Sequence, residues 1–144
     1  KIAAVGAFYK IFAQCFLPVQ GSITLIVMAI IVLTLIVSNV TAVYQNNMKR
    51  MLAYSSIAQV GYILLGVISD SVKFEGALLY YLASYTTTSL VAFGILYVIE
   101  NAHGSTSLDA FAGLYTKNRF AALCMTIALL SLAGIPPFAG FFAK

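Results

Sequence analysis

Two runs without a charged side chain constrain this chain more than anything else in it. One extends from Ile23 to Tyr44 over 22 residues, the other from Met51 to Ser69 over 19, and the adjacent cations Lys49 and Arg50 stand between them. An α-helix needs about 20 apolar residues to cross the hydrocarbon core of a bilayer, and cations collect at the ends of such spans. The stretch QNNMKRMLAYSSIAQVGYILLG at 45–66 therefore reads as the elbow of a membrane hairpin. Without water in the bilayer core, only helices and closed barrels satisfy the backbone there. Barrel strands alternate apolar and polar residues over about ten positions, and Ile23 to Val43 does not alternate. The expected fold class is all-α, a polytopic transmembrane helix bundle.

Composition agrees. Charged residues make up 8% of the 144, against about 25% in a soluble domain. The net charge of +4 comes from scattered cations, which is no footprint for nucleic acid. Cys15 and Cys124 are isolated within apolar runs; they form no metal or disulfide pattern and read as small buried hydrophobes.

Five helices are expected, at about 1–16, 22–45, 49–68, 74–99 and 119–144, all in one transmembrane domain. Lys1 and Lys144 both adjoin hydrophobic sequence, so the chain reads as a segment of a longer protein. Pro18 and Gly21 end the first helix, and Ser22 is placed to cap the second. Within the loop after helix four, SLDAFAGLYT at 107–116 reads as a short amphipathic surface helix. The last helix is expected to break at Gly134-Ile135-Pro136-Pro137. Proline removes an amide donor, and non-helical backbone at membrane depth must be buried in protein or line a hydrated cavity. Discontinuous helices of this kind are common at ion sites in transporters. Lys49, Arg50, Lys117 and Arg119 fall on one side of the membrane and Lys73 on the other, which makes the first side cytoplasmic or its equivalent.

No soluble-enzyme constellation is visible. The single histidine, His103, falls in a loop, and no metal-ligand spacing occurs. Lysine in apolar surroundings stands out instead. A cation at mid-bilayer costs about 2.5–3.5 kcal/mol even on a lenient scale. Lys144 lies seven residues beyond Pro137. It reads either as a proton site, since burial favours neutral lysine, or as a side chain snorkelling to the interface. Lys1 offers a similar choice between a mid-span group and a helix start. Lys10 reads as a snorkelling residue, and Lys49 and Arg50 as topology anchors or a proton entry point. Tyr85 and the Thr86–Thr88 run, with Thr87 at its centre, either hold water along a proton path or bond to their own helix. Gln59 and Tyr62 suit interhelical hydrogen bonds. Asp70, Glu75, Glu100 and Asp109 fall in or beside loops as solvated surface, which leaves no carboxylate inside a span.

Two motifs carry a family resemblance. Gln-x-x-x-Lys-Arg-x-Leu-Ala-Tyr-Ser-Ser-Ile at 45–57 and Ser-Leu-Ala-Gly-Ile-Pro-Pro-x-Ala-Gly-Phe-x-x-Lys at 131–144 resemble the antiporter-like membrane subunits of proton-pumping NADH:quinone oxidoreductase (respiratory complex I), most of all the N-type subunit. The resemblance implies that the five helices correspond to the eighth to twelfth of about fourteen. It implies that Lys1 and Lys144 are proton-relay groups and that Lys49 is the elbow lysine. It also implies partners among the other membrane subunits, and NADH, FMN, iron–sulfur clusters and quinone on subunits other than this one, with no cofactor or metal here. The membrane implied is the bacterial inner membrane, or that of a plastid or mitochondrion. Sister subunits often carry histidine where Gln59 and Tyr85 stand, so hydroxyls and water would be the intermediate carriers. The alternatives are a related cation/proton antiporter and a structural bundle whose lysines only snorkel.

Overall fold

The computed structural model describes residues 2–15, 20–68 and 74–143. It contains helices α1 (Ile2–Cys15), α2 (Gln20–Val43), α3 (Met48–Ile68), α4 (Phe74–His103), α5 (Leu114–Lys117), α6 (Arg119–Ala133) and α7 (Ala139–Ala143), with a 3-10 turn at Leu108–Phe111. Among the described residues, pairing of β type is confined to the single bridge between Asn47 and Ser107. Among the described residues, three segments are long and apolar enough to cross a membrane: Thr24–Val43, Met48–Ile68 and Gly76–Ala102. The chain is an all-α membrane helix bundle. Leu25, Leu33, Val37 and Val43 are all more than half exposed, so α2 keeps an apolar exterior along its length, as a helix in lipid requires.

Helix ends follow local chemistry. α2 starts at Gln20, two residues before the expected cap at Ser22, and stops at Val43. α4 passes its expected end at 99 and reaches His103, so His103 ends a helix and does not lie in the loop. The terminator is Gly104, which adopts φ +65°. Its N–H donates to the Glu100 carbonyl at 2.8 Å, the single-bond left-handed cap that glycine allows. The expected surface helix at 107–116 is divided. Gly113 at φ +72° separates the 3-10 turn from the one-turn α5. Asn118 caps α6, its side-chain oxygen accepting from the Ala121 N–H at 3.1 Å.

The chain forms two compact units, Lys1–Tyr44 with Ala53–Glu75 and Gln45–Leu52 with Gly76–Lys144. In the first, Gly61 permits close approach of α3 to α2, since a Cβ there would lie 2.8 Å from a Leu35 methyl carbon. An apolar cleft of about 250 Å³ separates Ala4, Val5 and Phe8 of α1 from Val60, Ile63 and Val67 of α3. In the second unit, the first turn of α3 joins α4 and α6. Met48, Leu52, Ala92, Leu96, Met125 and Ala128 form its core. Two of these are alanines, which let helix backbones approach closely. Ala92 is fully buried, and overpacking such a site costs about 1–3 kcal/mol. Ala92→Leu is expected to lower the thermal unfolding midpoint of the full-length protein in detergent; an unchanged midpoint would contradict this core.

Candidate functional site

The first polar assembly is at the elbow. Asn47 precedes α3 and caps it, its side-chain oxygen accepting from the Lys49 N–H at 3.0 Å. The elbow also pairs with the loop after α4. Met48 N–H donates to the Thr106 carbonyl at 2.9 Å and Leu108 N–H to the Asn46 carbonyl at 3.1 Å. The Asn47 amide donates to the Thr106 hydroxyl at 2.8 Å. Beside this clasp, Lys49 Nζ contacts both carboxylate oxygens of Glu100 at 3.1 Å. Glu100 therefore belongs to the last turn of α4, within a membrane-length segment, and is paired. The sequence predicts Glu100 beside a loop as solvated surface, with no carboxylate inside a span; it stays partly exposed, but it lies within the membrane-length segment Gly76–Ala102. Sequence reasoning missed the pair because 51 positions separate its members. The available signal was a helix continuing to the glycine at 104. Arg119, on the same unit, lies 5.6 Å from the Tyr115 ring centroid.

The second assembly is the helix break. α6 ends in a Schellman motif. Gly134 adopts φ +79°, its N–H reaches the Ser131 carbonyl at 3.1 Å, and the Ile135 N–H reaches the Leu130 carbonyl at 3.2 Å. These bonds satisfy carbonyls that a helix end would otherwise leave bare. Glycine thus stops the helix before the prolines, and Pro136 and Pro137 keep it from resuming. Phe138 N–H closes the turn onto the Ile135 carbonyl at 3.1 Å. The returning α7 then packs against α6. A Cβ on Gly140 would lie 1.8 Å from the Ser131 carbonyl oxygen, and the Gly140 N–H donates to the Ser131 hydroxyl at 3.3 Å.

Four hydroxyls of α4, those of Thr86, Thr87, Thr88 and Ser89, are satisfied by their own helix. Thr86 donates to the Leu82 carbonyl at 2.6 Å, Thr87 to Ala83 at 3.0 Å, Thr88 to Ser84 at 2.9 Å and Ser89 to Tyr85 at 2.7 Å. Back-bonding of this kind lets hydroxyls sit at membrane depth. Thr87 is exposed and Tyr85 half-buried. Ser38, Ser56 and Gln59 are buried on α2 and α3, and Ser38 donates to the Thr34 carbonyl. Among the described residues, no buried side-chain polar atom lacks a partner, and no cluster of potential metal ligands occurs. Lys10 is exposed on α1. Lys1 and Lys144 lie outside the described residues, as do Asp70 and Lys73.

These features define a class: a membrane helix bundle with a helix interrupted by a glycine–proline break and an ion pair at one helix end. The family model described as NADH:quinone oxidoreductase/Mrp antiporter, TM, matches residues 1–144. The chain belongs to that family. NADH-quinone oxidoreductase subunit N of Phocaeicola vulgatus is 42% identical over 145 residues, covering all of this chain and 31% of that protein. NAD(P)H-quinone oxidoreductase subunit 2, chloroplastic, of Chaetosphaeridium globosum is 41% identical over 144 residues, covering all of this chain and 29% of that protein. NADH-quinone oxidoreductase subunit N 1 of Roseiflexus castenholzii is 48% identical over 126 residues, covering 82% of this chain and 23% of that protein. The chain spans about a third of the length of the curated relatives it matches.

The contact at Gly140 leaves no room for a side chain. Gly140→Ala must displace α7 from α6, and overpacking of this kind costs about 1–3 kcal/mol. In the full-length protein in detergent, Gly140→Ala is expected to lower the thermal unfolding midpoint. Gly94→Ala, where an added Cβ meets nothing within 4 Å, does not lower it. Equal midpoints in the two variants would show that the contact carries no weight in packing.

Proposed function

We propose that this chain is the central-to-distal part of a proton-translocating membrane subunit of NADH:quinone oxidoreductase. The observation that carries the reading is the match of the whole chain to the family, together with relatives named as subunit N of that enzyme. Redox chemistry belongs to other subunits, with NADH, FMN, iron–sulfur clusters and quinone bound there. The partners of this chain are the other membrane subunits and the lipid around them. Its membrane is the bacterial inner membrane, with a plastid membrane as the variant that the chloroplast relative suggests and a mitochondrial inner membrane as the further one that the resemblance implies.

Lys1 and Lys144 are the relay groups. A lysine in a low-dielectric interior holds its proton only while water or a counter-charge supports the ammonium. Like charges repel across a low-dielectric interior, and a repulsion of about 1.4 kcal/mol is a tenfold change in proton affinity. Loading one lysine therefore lowers the affinity of the next. The turn between α6 and α7 opens a helix within the membrane-spanning region and gives water and charge a way in. Lys49 stands at the entry side. Tyr85 and Thr87 are the hydroxyls nearest in kind to a water-holding path, although Thr87 must release its carbonyl partner to serve it.

The test is proton pumping per NADH oxidised, in vesicles, for Lys144→Ala against Lys10→Ala after assembly has been verified. Lys144→Ala is expected to lose pumping and Lys10→Ala to keep it. Near-normal pumping in both would reduce Lys144 to a snorkelling residue. Sodium–proton exchange by the protein in vesicles without quinone would favour the antiporter reading instead.

A further inference from the structure

Lys49 and Glu100 each occupy the unfavourable end of their own helix. Lys49 is in the first turn of α3, which begins at Met48, and Glu100 is in the last turn of α4, which ends at His103. A helix carries partial positive charge at its N-terminus and partial negative charge at its C-terminus. Alone, the ammonium opposes α3 and the carboxylate opposes α4. Paired at 3.1 Å, each charge instead lies beside the helix end that suits it. The pair adds little to stability, because the two side chains are 55% and 37% exposed and such pairs are weak. Nor is it needed to hold the elbow to the loop. The bonds from Met48 to Thr106, from Leu108 to Asn46 and from Asn47 to Thr106 already do so.

A lysine on a long flexible stem at a membrane boundary would otherwise snorkel among headgroups. We propose that Glu100 is the positioning residue of Lys49, holding its ammonium over the end of α4 at the mouth of the proton path. This rests on the reading of Lys49 as a proton-entry group. The role is separable from folding, since a neutral isostere at 100 leaves every bond of the clasp in place and frees only the ammonium.

The experiment uses the full complex in vesicles and two readouts. One is the rate at which an amine-reactive reagent labels Lys49, read by mass spectrometry. The other is protons pumped per NADH. Glu100→Gln is expected to raise labelling and lower pumping by about two- to fivefold, the range that the free energy of an exposed ion pair spans. Glu100→Asp should restore much of both, and Lys49→Ala combined with Glu100→Gln should pump no worse than Lys49→Ala alone. Unchanged labelling in Glu100→Gln overturns the positioning role. Faster labelling with normal pumping in both Glu100→Gln and Lys49→Ala overturns the entry reading on which the proposal rests. A pumping defect in Glu100→Gln beside normal Lys49→Ala would show that Glu100 acts through another group, and also overturns it.

Discussion

Inside a bilayer the backbone has no water to turn to, so each departure from regular helix must supply its own hydrogen bonds. That requirement bears most on the helix break and on the hydroxyls of α4, and the helix ends beside the elbow satisfy their groups in the same local way. α6 stops at a Schellman motif, with Gly134 and Ile135 donating back into the last turn. α4 stops at Gly104 with one donor returned to Glu100. α3 and α6 begin on asparagine caps, Asn47 and Asn118. The hydroxyls of Thr86, Thr87, Thr88 and Ser89 on α4 turn back to carbonyls one turn earlier. A polar patch and a broken helix, both costly in lipid, become tolerable where these donors and carbonyls find partners, and among the described residues no buried side-chain polar atom lacks one.

Much of the fold was legible in the residues because the bilayer reduces structure to length, apolarity and the position of charge. The uncharged runs on either side of Lys49 and Arg50 specify α2, the elbow and α3. The glycine–proline stretch specifies a break in the last helix. What remained hidden was contact between distant parts of the chain. The run Gln45–Met48 does not announce a partner at Thr106, and Glu100 has the look of a solvated loop residue until α4 is seen to continue to His103. The closeness of Gly140 to Ser131 is equally invisible in sequence. Glycine is common near breaks, and only the approach of two backbones gives this one a steric reason. The relay roles proposed for Lys1 and Lys144 rest on the resemblance and not on spacing, because an apolar neighbourhood alone does not separate a buried cation from a snorkelling one.

Two lysines with proposed proton chemistry stand beside structural features of different kinds. Lys49 is held at a helix end by a carboxylate on a neighbouring helix, within a clasp of neutral bonds. Lys144 immediately follows α7 in the chain, and the placement of α7 depends on a glycine that a methyl group would dislodge. For Lys49 the carboxylate of Glu100 stands beside a group whose proposed work is to gain and lose a proton. A relay needs its groups held in place, because its coupling falls off with distance and is lost if its charged ends wander.

The central claim is that Lys1 and Lys144 serve one proton path. The most direct measurement is the number of protons pumped per NADH oxidised by Lys1→Ala, by Lys144→Ala and by the double variant, in vesicles carrying equal amounts of assembled complex. Residues on one path act as a unit, and their removals do not multiply. The account predicts that the double variant pumps as well as the more impaired single variant. A double variant whose defect is the product of two partial single defects would place the lysines on independent routes and contradict the account.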